Sequence, residues 1–425
     1  MNSFNILEKE SKRILNSIPE LISRTFPIPG KFRGALPYDI AELSKLLTNS
    51  RGERSLSYLS RPNFLSAYLY YYLPWNLYRL CVLLPSINLK LSEGDLIIDL
   101  GCGPLTFVSA LWISRPDLRV IPLEFNCIDR AGPVLEAGKK FFTALCEFTG
   151  NDVSRAWKIN LIKKDININK SASLSDAAGK KKAALVCAVN MFNEHYDRIS
   201  HNDGSALRNL AKTSALFMHA EAAQSASILT VEPGVPQSGK FISFLREAFI
   251  DLGRMPSAPC THSADCPLFP AKKQTKKERW CHFAFETADA PKDLIRLSAA
   301  AKLQKDRLVF SFLYTEEGKC AGAAKAACTA KAVGAQPISR RQPDELPAAF
   351  SAVRVISDAF PLPGGRFGRY ACSAQGLVLV TGEKDLIEKT GSLSVIPEKG
   401  KHSSIRINVT GERDVKSGAI IMELK

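Results

Sequence analysis

Apolar positions change their period twice along the chain. Through the first ninety residues Leu7, Ile14, Leu15, Ile18 and Leu21 recur at roughly helical spacing, which puts them on one helix face. Ser66–Tyr72 and Leu77–Leu84 predict two further helices meeting at Pro74, because proline removes a donor inside a helix. The pattern then becomes short apolar runs alternating with amphipathic stretches. Asp95–Leu100, Val120–Ile128, Ala183–Val189 and Ser227–Val231 read as strands. Thr106–Ile113, Pro133–Phe148, Ser205–Ser225 and Lys240–Leu252 read as helices, and Ile166–Lys182 as a polar loop. Strands alternating with helices predict a mostly parallel, doubly wound sheet. Regular structure fades from Pro256 to Trp280, and Leu308–Tyr314 is a further strand. The tail alternates short β-like runs with turns: Val353–Ile356, Gly376–Val380, Ser392–Ile396, Ser404–Val409 and Ala419–Leu424. That predicts a small antiparallel β unit, partly closed into a barrel.

The expected organisation is therefore a helical region over 1–90 and an α/β cofactor-binding domain over 91–255. A cysteine-rich metal segment follows over 256–315, then an Ala-rich insertion over 316–349. A C-terminal β domain over 350–425 completes the chain. Its 425 residues exceed one ordinary core. The apolar stretch Phe64–Leu84 contains Pro74, Asn76 and Arg79, so it reads as a buried or surface helix and not as a membrane span. Met1–Ile22 is polar and charged, so no secretory signal is expected. The eleven cysteines are then free or metal-bound rather than paired. The net charge of +15 favours a polyanionic partner, most simply RNA. Tyr68, Tyr70, Tyr71, Tyr72, Trp75 and Tyr78 are candidates for base stacking, or for core beside their leucines. The run Lys272–Arg279 is a phosphate-facing or simply solvated basic loop.

Leu96–Leu100 followed by Gly101-Cys102-Gly103-Pro104 fits strand, tight turn and helix start. Glycine is needed where a backbone turns sharply beside a ligand, and the helix start offers free N–H groups. Asp99 at the strand end is placed to hold a cofactor amine or to orient the turn. Asp129, with Glu124 second, is the candidate for ribose hydroxyls. No third glycine and no Gly-Lys-Ser/Thr follows, which excludes the dinucleotide and Walker patterns. The turn Asp99-Leu100-Gly101-Cys102-Gly103-Pro104 resembles the S-adenosylmethionine turn of class I methyltransferases. After the third run, Asn190, Asn193 and Glu194 are the catalytic candidates, or else a helix cap. No Asp/Asn-Pro-Pro-Tyr/Phe motif and no Pro-Cys pair suited to attack on a pyrimidine is present.

Cys260, Cys266 and Cys281 fall in one polar segment, with Cys372 far downstream. Paired C-x2-C knuckles of a zinc ribbon are absent. Irregular spacing, Cys266-Pro267 and a remote fourth ligand suit a [4Fe–4S] cluster. His262 and His282 keep zinc open as the alternative. Cys320 and Cys328 read as bystanders.

Val231-Glu232-Pro233-Gly234, Phe244-Leu245-Arg246, Ala258-Pro259-Cys260, Cys266-Pro267-Leu268, Trp280-Cys281-His282-Phe283 and Phe310-Ser311-Phe312-Leu313 occur in that order. From about Tyr58 to Cys372 this series resembles the methyltransferase-like proteins of the mitochondrial small ribosomal subunit and their bacterial relatives. Thr261-His262 and Val235-Pro236 depart from the family's usual pairs. The resemblance implies a class I methyltransferase fold, with a [4Fe–4S] cluster on Cys260, Cys266, Cys281 and Cys372. It also implies association with small-subunit ribosomal RNA in a precursor particle. The expected function is S-adenosylmethionine-dependent rRNA methylation, at Asp99, Gly101, Gly103 and Asp129. The alternatives are a non-catalytic rRNA-binding assembly factor of the same fold, or a zinc-stabilised methyltransferase. The expected compartment is the cytoplasm for a bacterial protein and the mitochondrial matrix for a eukaryotic one.

Overall fold

A computed structural model of the chain describes residues 7–48, 58–151, 157–168, 174, 181–200, 203–268, 280–318, 352–391, 394–397 and 407–425. The helical start comprises α1 (Lys9–Thr25), α2 (Gly30–Arg33), α3 (Leu36–Thr48) and α4 (Pro62–Ala67). A π-helical turn (Tyr68–Tyr72) then leads into α5 (Leu73–Leu83). Pro74 stands in the first turn of α5, where its missing N–H is tolerated. The widened turn lies just ahead of it, so the chain continues with little break. Ten of the eleven α5 residues are buried. Tyr71, Trp75 and Tyr78 are at most 3% exposed, which makes these three aromatics core and removes them as base-stacking candidates.

The α/β part runs β1 (Leu96–Leu100), α6 (Thr106–Ser114), β2 (Glu124–Asp129), α7 (Gly132–Phe148), β3 (Lys158–Lys163), β4 (Ala183–Val189), α8 (Asn193–Tyr196), α9 (Gly204–Glu221), β5 (Ala222–Pro233) and α10 (Pro236–Asp251). It ends in β6 (Arg254–Ala258), β7 (Phe283–Glu286), α11 (Lys292–Ala300) and β8 (Arg307–Glu317). The sheet order is β3-β2-β1-β4-β5-β8-β6, with β7 also on β8. β1 to β5 are parallel, whereas β8 is antiparallel to β5, β6 and β7. All five β1 residues are buried, as a parallel strand covered on both faces requires. Ile97 joins the core with α1, α5 and α6, while Ile98 and Leu100 join the one with α9 and α10.

The chain leaves β1 toward β2 on one side, and β4 lies on the other. That reversal opens a crevice at the strands' carboxyl ends.

Several expectations need adjustment. β3, Lys-Ile-Asn-Leu-Ile-Lys, was absent from the strands read from sequence. It is an edge strand with no fully buried residue, so it lacks a buried-strand signature. The helix expected over Ser205–Ser225 ends at Glu221, and Ala222 already begins β5. Regular structure also persists to Ala258 in β6.

A second sheet contains β9 (Ala352–Val355), β10 (Phe360–Pro361), β11 (Phe367–Ser373), β12 (Gly376–Gly382), β13 (Val395–Pro397), β14 (Ile407–Arg413) and β15 (Ile420–Leu424), with α12 (Lys384–Lys389) after β12. Its order is β13-β9-β11-β12-β15-β14, with β10 on β11. β12 and β15 pair in parallel, so it is mixed, not purely antiparallel. Arg307 on β8 grips Asp358 with two hydrogen bonds of 2.7 and 2.8 Å, tying the two sheets together. Among the described residues no helix is long and apolar enough to cross a membrane. The basic run Lys272–Arg279, Cys320, Cys328 and most of the Ala-rich insertion and the polar loop lie outside the described residues.

Candidate functional site

Three residues after β1 have left-handed backbones: Gly101 at φ +64°, Gly103 at +54° and Leu105 at +55°. A Cβ at Gly101 would stand 2.7 Å from Met191 Cγ, so the loop after β4 closes directly on this turn. Asp129, at the end of β2, holds the turn from the other side. Its Oδ2 accepts Gly103 N–H at 3.0 Å and its Oδ1 accepts Ala131 N–H at 2.9 Å. Burial raises the Asp129 pKa despite these donors, and the nearby Glu194 charge adds to it.

Asp99 is wholly buried. Its Oδ1 accepts the Cys187 thiol at 3.5 Å, and its Oδ2 has no partner. Burial pushes its pKa up to about 8, with the Cys187 hydrogen bond opposing and the Asp129 charge reinforcing the shift. Asn190, just past β4, has φ +54° and an unpartnered buried Oδ1. Asp99, Gly101, Gly103 and Asn190 line a cavity of about 20 Å³, closed from the helical side by Tyr68 and Asn76. Buried acceptors without donors are rare and costly. Both belong to residues that line this one cavity, and a donor-rich, preferably cationic group bound there would satisfy them.

The remaining candidates separate. Glu124 opens β2 at the opposite end of the sheet and binds Lys158 and Asn160, each at 2.8 Å. It is not in the site, because β2 begins there rather than at Val120. Asn193 opens the four-residue α8, and no side chain caps that helix. Glu194 accepts Arg130 Nη2 at 2.8 Å and Tyr58 Oη at 3.3 Å. The loop is fixed from beneath by buried Glu232, which accepts Phe192 N–H at 2.9 Å and Tyr196 Oη at 2.8 Å.

Tyr68 and Asn76 were not singled out for this site, since nothing local to α5 signals a cavity 25 residues onward. Gly138 was also missed. A Cβ there would meet the Pro104 carbonyl carbon at 2.5 Å and Leu105 N at 2.8 Å. Alanine normally improves a helix by about 1 kcal/mol over glycine. At Gly138 the obstacle is turn backbone, so Gly138→Ala is expected to destabilise by about 1–3 kcal/mol instead. Urea unfolding checks this: a midpoint equal to or above the wild-type value would contradict the close packing of α7 on the turn.

The four candidate metal cysteines come from three parts of the fold. Cys260 and Cys266 lie after β6, Cys281 precedes β7, and Cys372 is on β11. Arg246 of α10, 3% exposed, donates from Nε to Cys260 Sγ at 3.2 Å and from Nη2 to the His262 and Ala264 carbonyls, both at 2.7 Å. His262 Nε2 lies 3.2 Å from Cys372 Sγ. Burial raises the pKa of Cys266, Cys281 and Cys372, and the charge of Cys260 raises each further. The four thiols thus feel one another. Among the described residues, however, no group of three or more His, Cys, Asp or Glu side chains is arranged to hold a metal ion. The expected cage is a convergence of thiols, not a formed coordination sphere. His282 is engaged elsewhere, with Nδ1 3.1 Å from the Trp280 carbonyl. Cys81, Cys102, Cys127, Cys146 and Cys187 are buried free thiols.

A family model described as mitochondrial small ribosomal subunit Rsm22 matches residues 128–342. No curated protein matches the chain. Solved structures with which it aligns include a SAM-dependent methyltransferase from Geobacter sulfurreducens in complex with S-adenosyl-L-homocysteine, at 12% identity and TM-score 0.29, over 57% of this chain and 91% of that one. Another is the plantazolicin methyltransferase BpumL in complex with SAH, at 12% and 0.28, over 73% and 98%. A third is geranyl diphosphate C-methyltransferase from Streptomyces coelicolor, at 9% and 0.29, over 56% and 79%. The fold assignment rests on the strand order itself: five parallel strands reversed about β1, extended by antiparallel strands, form a methyltransferase-like α/β fold.

Proposed function

We propose, from the premise that this chain belongs to the mitochondrial small ribosomal subunit Rsm22 family, that it is an S-adenosylmethionine-dependent methyltransferase acting on small-subunit rRNA. The observation that carries the reading is a pair of unpartnered buried acceptors, Asp99 Oδ2 and Asn190 Oδ1, on two residues that line one cavity at the ends of β1 and β4. These residues fit the cofactor's ammonium group, and Asp129 fits its ribose hydroxyls. When bound, S-adenosylmethionine supplies an electrophilic methyl group. The chain's part is positioning: Asp99 and Asn190 fix one end, Asp129 fixes the other, and Met191 packs on the turn between them. Holding two reactants in line is itself a large share of catalysis. The basic chain supplies attraction to the RNA. The proposed setting is a small-subunit precursor particle, in the matrix of a mitochondrion or the cytoplasm of a bacterium.

A structural [4Fe–4S] cluster on Cys260, Cys266, Cys281 and Cys372 belongs to this proposal. Its donor chemistry fits: the buried Arg246 guanidinium, with no carboxylate within ion-pair distance among the described residues, donates to the Cys260 thiol and lies within the field of Cys266 and Cys372. Burying an unpaired cation is costly, and thiolates holding a metal group supply the missing negative charge. Zinc is the alternative occupant. Cys266→Ser is expected to lose the metal group and lower the melting temperature. Anaerobic iron and acid-labile sulfide analysis decides between the metals: about four of each per wild-type chain is expected, and zinc without sulfide would remove the cluster. Full metal content in Cys266→Ser would remove the thiolate site.

The second reading is a non-catalytic rRNA-binding assembly factor. The small cavity and the engagement of Glu194 by Arg130 and Tyr58 favour it. Methyl transfer from labelled S-adenosylmethionine to small-subunit rRNA and precursor particles separates the two, with Asp99→Ala as control. Label in rRNA that vanishes in the control is the expected result. Cofactor binding without label would establish the assembly-factor reading.

A further inference from the structure

The strand order places β1, with its glycine turn, between β2 and β4. Any bond from the end of β2 to the loop after β4 therefore crosses the carboxyl end of β1. Arg130, immediately after β2, makes such a bond to Glu194, in α8 after β4, at 2.8 Å. The same carboxylate accepts the Tyr58 hydroxyl at 3.3 Å from the helical N-terminal region. Three separate parts of the chain thus meet near the end of β1, where the Glu194 charge is felt by Tyr68 and Asp129, although none of the three lines the cavity itself. Beside them Tyr68 presents its hydroxyl 3.9 Å from a Cβ built at Gly103, and Tyr68 and Asn76 wall the same cavity. At about 20 Å³ that cavity is far below the ~300 Å³ at which small-molecule sites begin. Its polar groups suit S-adenosylmethionine, but its volume does not. Something in the wall must move before a nucleoside-sized ligand can enter.

We infer that the Arg130–Glu194–Tyr58 contact is a clasp that holds the cofactor site shut and must open before S-adenosylmethionine binds. This rests on the reading of the cavity as a cofactor site. The clasp suits that task. Its ion pair is part-exposed, with side chains 26% and 30% accessible, so opening it does not strand a buried charge. Exposed pairs of this kind hold weakly and yield to salt. The π-helical turn at Tyr68–Tyr72 places Tyr68 at the rim, and such turns recur at functional sites. A ligand that binds only the open form has its apparent affinity reduced by the fraction of molecules already open. Breaking the clasp should therefore tighten binding although it removes contacts.

The experiment titrates the full-length protein with S-adenosylhomocysteine, which binds but cannot turn over. Wild type, Arg130→Met, Glu194→Gln and Arg130→Met/Asp99→Asn are compared at low and high potassium chloride. The expected result is binding about two- to fivefold tighter in both single variants, with wild type approaching them as salt rises. The Asp99→Asn double variant should lose that binding, which places the ligand in this cavity. Equal or weaker binding in both single variants, with wild type binding normally, would overturn the clasp and leave the cofactor site standing. Retained tight binding in the double variant, or no binding by any protein, would overturn the cofactor reading and the clasp with it.

Discussion

Arg246→Met should lower the melting temperature by roughly 5 °C or more and abolish binding of the metal group proposed for the cysteine segment. The side chains are of similar length, so packing is largely kept and the loss is polar. One guanidinium serves the Cys260 thiol and the His262 and Ala264 carbonyls. It thereby fixes the loop that carries two of the four cysteines. Each acceptor left buried without a donor costs about 1–3 kcal/mol. The same change removes the buried positive charge that offsets the thiolates. Partners that orient ligands in this way typically change metal affinity 10–100-fold. Arg246→Lys keeps the charge but not the fork, so it should retain part of the metal and melt between the two. Thermal melts with iron and sulfide content check this. A variant that melts and loads like wild type would show that Arg246 neither fixes the loop nor balances charge.

Asp99→Asn should weaken S-adenosylmethionine binding about 10- to 100-fold, the worth of a charge-assisted hydrogen bond in a buried site. The raised pKa of Asp99, about 8, gives this prediction a pH signature. Below pH 8 the free carboxyl is mostly protonated, and an ammonium ligand must displace that proton. Affinity should therefore rise by up to about tenfold per pH unit from pH 6 to 8 and then level off, in wild type only. The effect on folding has the opposite sign. The folded pKa lies above the unfolded value, so the stability associated with Asp99 is fully present below about pH 4 and is lost as pH rises through about 8. Asparagine removes that loss, and the variant should gain on wild type toward pH 8. Parallel pH profiles for the two proteins would contradict the assignment.

What could be read from sequence followed a physical rule. β1 was legible because a buried parallel strand is a continuous apolar run, and the glycine turn because left-handed backbone selects glycine. Asp129 was legible as an acid ending the next strand. Glu124 misled because the expected strand started at Val120, which is 84% exposed; starting it at Glu124 puts that acid at the far end of the sheet. β3 stayed hidden because its residues are only half-buried. Tyr58, Tyr68, Asn76 and Gly138 reach the site through tertiary packing alone. No local pattern distinguishes them from neighbours that serve the core. The cysteines were visible as a set, but Arg246, which binds their loop, stands in an ordinary helical sequence.

The most direct measurement is a structure of the protein determined with S-adenosylhomocysteine. The ligand is expected at the carboxyl ends of β1 and β4, its ammonium on Asp99 Oδ2 and Asn190 Oδ1 and its ribose beside Asp129, with Tyr68 withdrawn and the Arg130–Glu194 contact broken. A ligand seated elsewhere, or a cavity that stays closed and empty at saturating ligand, would contradict this expectation.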